Sequence, residues 1–136
     1  MEKVFSAKLE ELYPMLDFIS LIAEDKGFPE TEIGRIQMAT EEALVNVIHY
    51  AYPDGKGTLE ISCTFLDGNT LEIIVKDRGL PFNPLQDIEE VDVNAAADQR
   101  PIGGLGVLMI RNLMDHVGYE RVENANILTM RKQLVN

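Results

Sequence analysis

Two alternating runs, "TLEISCTFL" at 58–66 and "TLEIIVKD" at 70–77, flank the tripeptide "DGN". A period of two puts Leu59, Ile61, Cys63 and Phe65 on one face of the first run, and Leu71, Ile73, Val75 and Asp77 on one face of the second. Asp-Gly between them predicts a tight hairpin. A hairpin with one apolar face has to bury it against another layer, and the rest of the chain supplies that layer as helices.

Over 9–26, Leu9, Leu12, Tyr13, Leu16, Ile19, Ile22 and Ala23 keep helical spacing, and Gly27 and Pro29 of "KGFP" end the run. A second helix is expected over about 30–50, with the stripe Ile33, Ile36, Ala43, Val47 and Ala51, and "YPDGKG" breaks it. A third opens at "GGLG" with Val107, Leu108, Ile110, Leu113 and Met114 as its apolar positions. "KVFSAKL" alternates weakly, as an edge strand does, and two final strands near 117–123 and 127–134 meet at "ENAN". Residues 79–102 lack strong periodicity, although Asn83-Pro84 suits the cap of a short helix. The order β-α-α-β-β-loop-α-β-β predicts an α/β (α+β) two-layer sandwich, with a mixed, largely antiparallel sheet and helices on one face.

A length of 136 residues suits a single domain with a real core. No apolar run reaches the ~18 residues of a membrane span. "MEKVFSAKLEEL" has no apolar segment of the secretory kind, and the lone Cys63 excludes an internal disulfide framework. A cytoplasmic protein is therefore expected. The net charge of −11 argues against nucleic acid or an anionic membrane as the main partner. An anionic ligand would need a divalent cation or a nest of backbone N–H groups to offset repulsion. Cys63 and the six methionines read best as core filling.

Three polar constellations carry chemistry. On the second helix, Glu42, Asn46 and His49 fall within roughly 60° of one another, at the border between the apolar stripe and solvent. An amide oxygen is a hard donor that suits Mg2+ held among phosphates and waters. A carboxylate one turn earlier can orient or deprotonate a hydroxyl or a water. Taken singly, each of the three reads as the polar flank of an amphipathic helix, and His49 as a solvated surface residue. Asp77 shares the inward face of its strand, where a carboxylate is unfavourable by several kcal/mol unless hydrogen-bonded. Gly79, two residues on, permits close approach of another backbone or of a ligand. Such a pair can read an exocyclic amine such as that of adenine; a strand that stops at Lys76, with Asp77 opening a turn, fits the local sequence equally well. Finally, "IGGLG" at 102–106 can present free N–H groups to an anion, aided by the helix dipole, or serve as a plain connector. Neither a Walker A motif nor a dinucleotide fingerprint occurs, so phosphate here would be held by backbone and metal, without a loop lysine.

In this order the three constellations resemble the GHKL (histidine-kinase-like, Bergerat-fold) ATP-binding family, which includes histidine kinases, gyrase and chaperone ATPase domains, and anti-sigma-factor serine/threonine kinases. "EEALVN" resembles the family's N box, "DRGLPF" its G1 box and "GGLGVLMIRNLMD" its G2 box. The resemblance runs over nearly the whole chain, and the endings "DRGLPFNP" and "LMDHVGYE" are most similar to the anti-sigma-factor kinase branch. It implies one Bergerat ATP-binding domain over 1–136, with an ATP lid at 80–102, using ATP and Mg2+. It implies that Asn46 helps to hold Mg2+ on the triphosphate, and that Glu42 is the catalytic base toward a serine or threonine hydroxyl. Asp77 would accept from the adenine amino group, and Gly79 would let the base approach. Gly103, Gly104, Leu105 and Gly106 would cradle phosphates, with Arg100 reaching the terminal phosphate from the lid. The implied role is a partner switch that phosphorylates an anti-sigma-factor antagonist and in another state sequesters a sigma factor, in a homodimer. Two alternatives stand beside it: a non-catalytic, ATP-gated protein-binding regulator, and a slow ATPase. The chain departs from the family in one respect. The family often has histidine four residues after the asparagine; here that position is Tyr50, so no role passes to His49. With no phospho-acceptor histidine box and no transducer domain in this sequence, histidine autophosphorylation and gyrase-type cycling are not expected.

Overall fold

A computed structural model describes residues 1–85 and 104–135, with backbone alone for 104–107. The elements run β1 (Glu2–Ser6), a 3₁₀ turn (Leu9–Glu11), α1 (Leu12–Asp25), α2 (Glu30–Ala51), β2 (Thr58–Leu66), β3 (Thr70–Asp77), α3 (Gly104–Leu113), β4 (His116–Val122) and β5 (Ala125–Gln133).

The central hairpin forms as its alternation demands. Asp67 and Gly68 both take positive φ, 52° and 74°, and the Asn69 N–H donates to the Leu66 carbonyl at 3.1 Å. A second hairpin joins β4 to β5 through Glu123 and Asn124, again both at positive φ. Among the described residues the sheet order is β1-β2-β3-β5-β4, and every pairing is antiparallel. The largely antiparallel expectation is thus met, and the reason no parallel pair forms is topological. The chain leaves β3 and returns through α3 into β4, which runs parallel to β3. The β4–β5 hairpin then slots β5 between the two, so the parallel strands never touch.

Among the described residues, α1, α2 and α3 lie on the apolar face. Met15, Leu16 and Ile19 of α1, Ile36, Ala43, Leu44 and Val47 of α2, and Ile110 and Met114 at the end of α3 close over Leu59, Ile61, Leu71, Ile73, Val75, Leu128 and Met130. Slipping either central strand by one residue would turn its buried set to solvent, which fixes the register. Gly27 ends α1 at φ 93°, with Gly27 N–H on Glu24 O and Phe28 N–H on Ala23 O, a Schellman arrangement that seats buried Phe28. Lys132, buried on β5, donates to Leu113 O at 2.7 Å and pairs with Glu32 at 3.3 Å, tying the end of α3 to the start of α2.

Three expectations are corrected. Tyr13 is 76% exposed, because residues 9–11 form a 3₁₀ turn that shifts the phase of the helix after it. Leu108 is 51% exposed, so the buried line of α3 follows Ile110 and Met114. On α2 the stripe is wider than expected: Leu44 and Ile48 are buried, whereas Ile33 is half-buried. Among the described residues no helix is long and apolar enough to cross a membrane.

Candidate functional site

α2 carries its polar residues at two depths. Asn46 is only 2% exposed, deeper than the border position its spacing predicts, because the apolar face of α2 extends past it to Leu44 and Ile48. Its Nδ2 donates to Glu42 Oε1 one turn earlier, at a long 3.4 Å. Its Oδ1 has no partner among the described residues, which is an unusual state for a buried amide oxygen. His49 is exposed, as its surface reading holds. Tyr50, one turn beyond Asn46, stacks on Phe82 with ring centroids 4.6 Å apart and planes 25° from parallel.

β3 runs through Lys76 to Asp77, which excludes the reading in which Asp77 merely opens a turn. Asp77 is 3% exposed and sits opposite Leu59 of β2 and Asn126 of β5. Its Oδ1 accepts from the Gly79 N–H at 2.9 Å and from Asn126 Nδ2 at 2.8 Å. Burial pushes its carboxyl above the usual carboxylate range; the Asn126 and Gly79 hydrogen bonds and the Arg121 charge pull it back down.

Gly79 is explained by backbone. A Cβ there would lie 2.3 Å from Ala51 O, and the Leu80 N–H donates to that same carbonyl at 2.9 Å. The glycine therefore lets the chain leaving β3 press against the last carbonyl of α2. Tyr52 braces the same junction: its hydroxyl donates to Thr58 O at 2.8 Å and accepts from the Arg78 N–H at 3.0 Å. These contacts fix Asp77 beside the end of α2. Asn46 and Glu42 follow back along the helix at roughly 7 and 13 Å of axial rise from Ala51. A buried acceptor thus stands at one end of a line, and a carboxylate-amide pair at the other.

An implied Mg2+ fits this donor set. Asn46 offers a buried, unpartnered amide oxygen and Glu42 a half-buried carboxylate. Among the described residues no group of three His, Cys, Asp or Glu forms a metal cage. Two hard oxygen donors suit a cation that arrives coordinated by phosphates rather than one caged by protein alone.

Of the other sequence candidates, Arg100 and Gly103 lie outside the described residues, as do residues 86–102 of the expected lid at 80–102; of its first residues, Phe82 and Leu85 are buried. Gly104, Leu105 and Gly106 fall in the first turn of α3, and their surroundings lie outside the description. Asn83 Oδ1 accepts from the Leu85 N–H at 2.8 Å, closing a turn; any helix beyond it lies outside the described residues. Sequence reasoning missed Asn126, Arg121 and Tyr119, which cluster around Asp77. "ENAN" reads locally as a turn, and only the β3–β5 register brings its last residue to Asp77.

The profile of a family described as histidine kinase-like ATPase domain matches residues 5–132. The chain is 32% identical over 111 residues to the serine-protein kinase RsbW of Bacillus thuringiensis, covering 79% of this chain and 68% of that protein. The RsbW of Bacillus anthracis matches to the same extent. Among solved structures, the RsbU and RsbW domains of a Mycobacterium tuberculosis protein superpose with a TM-score of 0.65 at 13% identity. That match covers 100% of this chain, which spans about a third (35%) of the mycobacterial chain. The SiaB–SiaC complex of Pseudomonas aeruginosa gives a TM-score of 0.61 at 13% identity, covering 98% of this chain and 89% of that one.

Proposed function

Because this chain belongs to the histidine kinase-like ATPase domain family, we propose that it is an ATP-dependent protein serine/threonine kinase of the RsbW kind. The carrying observation is the line just described: buried Asp77 at the end of α2, and the Asn46–Glu42 pair further back on the same helix. In this reading Asp77 accepts from the adenine amino group. Gly79 acts indirectly, by admitting the Ala51 carbonyl that sets where Asp77 stands. Asn46 Oδ1 would help to hold Mg2+ on the triphosphate, where the ion would supply neutralising positive charge. Glu42 takes the proton of a serine or threonine hydroxyl as that oxygen attacks the γ-phosphorus and the bond to the ADP oxygen breaks. Gly103, Gly104, Leu105 and Gly106 would supply N–H groups to the phosphates, and Arg100 charge to the terminal one.

The RsbW name of the sequence relatives supports a partner-switch role. The substrate would be an anti-sigma-factor antagonist, and a sigma factor would be held in the alternate state. The setting would be a homodimer in the cytoplasm.

The test is calorimetry of ATP with and without Mg2+, on wild type and Asp77→Asn, followed by phosphotransfer from γ-labelled ATP to a candidate antagonist. Mg2+-dependent binding that is lost in the variant, with label on a serine or threonine, is the expected result. Binding with label appearing only as free phosphate would replace the kinase with an ATPase. Unchanged affinity in Asp77→Asn would overturn the adenine assignment.

A further inference from the structure

The Asn126 side chain has no atom to spare. Its two Nδ2 hydrogens go to Asp77 Oδ1 and to Leu80 O, each at 2.8 Å. Its Oδ1 accepts from the Tyr119 hydroxyl, from Arg121 Nη1 at 3.0 Å and from the Phe82 N–H at 3.3 Å. A flipped amide would face two acceptors with its oxygen and three donors with its nitrogen, so one orientation is fixed. Arg121 Nη1 also donates to Gly79 O at 2.9 Å, so the clamp reaches the segment that supplies the second N–H to Asp77.

The effect on Asp77 is directional. Oδ1 holds two N–H donors, whereas Oδ2 receives none from the described residues. A carboxylate that is almost wholly buried then presents one oxygen with open acceptor capacity, and such an oxygen requires a donor. From this, and resting on the nucleotide reading above, we infer that Asn126 is a positioning residue for base recognition. Clamped by Tyr119 and Arg121, it saturates Asp77 Oδ1 and leaves Oδ2 as the single acceptor for the 6-amino group of the purine. Asn126 itself, with every donor and acceptor engaged, does not read the base. A 6-oxo purine would set an acceptor against Oδ2 and is rejected.

The inference separates from a scaffold role through a cycle that varies both residue and ligand. Calorimetry would compare ATP with purine riboside triphosphate, which lacks the 6-amino group, on wild type, Asn126→Ala and Tyr119→Phe. Wild type is expected to prefer ATP by roughly 10- to 100-fold, the range for a hydrogen bond to a charged group. In Asn126→Ala that preference should shrink to about threefold, with purine riboside triphosphate affinity nearly unchanged. Tyr119→Phe keeps the amide, removes one of its donors, and should lose part of the preference; it serves if Asn126→Ala melts below the assay temperature. Equal loss of both ligands, or full preference retained in Asn126→Ala, overturns the positioning role and leaves the adenine reading intact. If wild type itself does not discriminate, the adenine reading fails and takes this inference with it.

Discussion

On the proposed reading, Asp77 sets binding against stability. Burial raises its carboxyl above the ordinary 3.8, so the folded chain holds this proton more tightly than the unfolded chain does. Below 3.8 both states are protonated and the stabilisation is fully present; as pH rises through the higher folded value it is lost. Above that folded value, ionising the buried carboxylate works against the nucleotide-free fold. Asp77→Asn should leave the melting temperature unchanged or raise it by roughly 2–4 °C, while ATP affinity falls about tenfold or more. Scanning calorimetry and titration at pH 7.5 read both; a clear drop in melting temperature would show that the charge is structural. Glu42→Gln keeps shape and removes the proposed base, so phosphotransfer should fall about 10²- to 10⁴-fold with ATP affinity nearly unchanged. Single-turnover label transfer is the measurement, and a wild-type rate would remove Glu42 from the chemistry. At this scale the sequence showed what local periodicity can show. Alternation along β3 pointed Asp77 inward, and spacing along α2 put Glu42 and Asn46 on one side. Asn126 was invisible, since its meaning depends on a partner 49 residues earlier in the chain.

Among elements, the junction between the end of α2 and the end of β3 decides the geometry of the site. A methyl group at Gly79 would stand 2.3 Å from Ala51 O and 2.8 Å from Ala51 C, both backbone atoms that cannot swing aside. Gly79→Ala should therefore destabilise the fold by about 1–3 kcal/mol and weaken ATP binding as Asp77 shifts against α2. Gly34, inside the same helix, has no heavy atom within 4 Å of an added Cβ and an ordinary φ. Gly34→Ala should stabilise by about 0.5–1 kcal/mol. Urea titrations at constant m distinguish the opposite signs, and a mild effect at Gly79 would mean that the junction yields. Element identity was readable because long periodic runs are unambiguous; helix phase was less so. The 3₁₀ turn before α1 rotated Tyr13 outward; Pro14, which has no N–H and suits only a first helical turn, is the local mark that α1 starts near Leu12 and not at Leu9.

For the molecule as a whole, Cys63 reports on integrity. It lies under α1 on the buried face of β2, 3% exposed, and desolvation pushes its thiol up to about 12. The reactive thiolate is thus nearly absent in the folded state. Iodoacetamide at pH 8 should label the native protein at least roughly 10³-fold more slowly than the urea-unfolded chain, with rates that track opening of the sandwich. Rapid native labelling would show that α1 lifts from the sheet on its own. The two-layer class was legible from element order, because an apolar hairpin needs a cover. Strand order was not: nothing local says that β5 inserts between β3 and β4. That insertion also dictates a sequence of events in time. While the chain is being made, β1 to β3 and their two helices can assemble early, leaving the β3 edge with Asp77 open. β4 then emerges with no neighbour in the sheet until β5 follows it. The Asn126–Asp77 contact proposed to set base preference therefore forms last, and pairings of this range place folding in the slower, non-local class. On the proposed role of Asn126, a nascent chain gains its preference for a 6-amino purine only once the fifth strand has paired with β3, so the onset of that preference reports closure of the sheet.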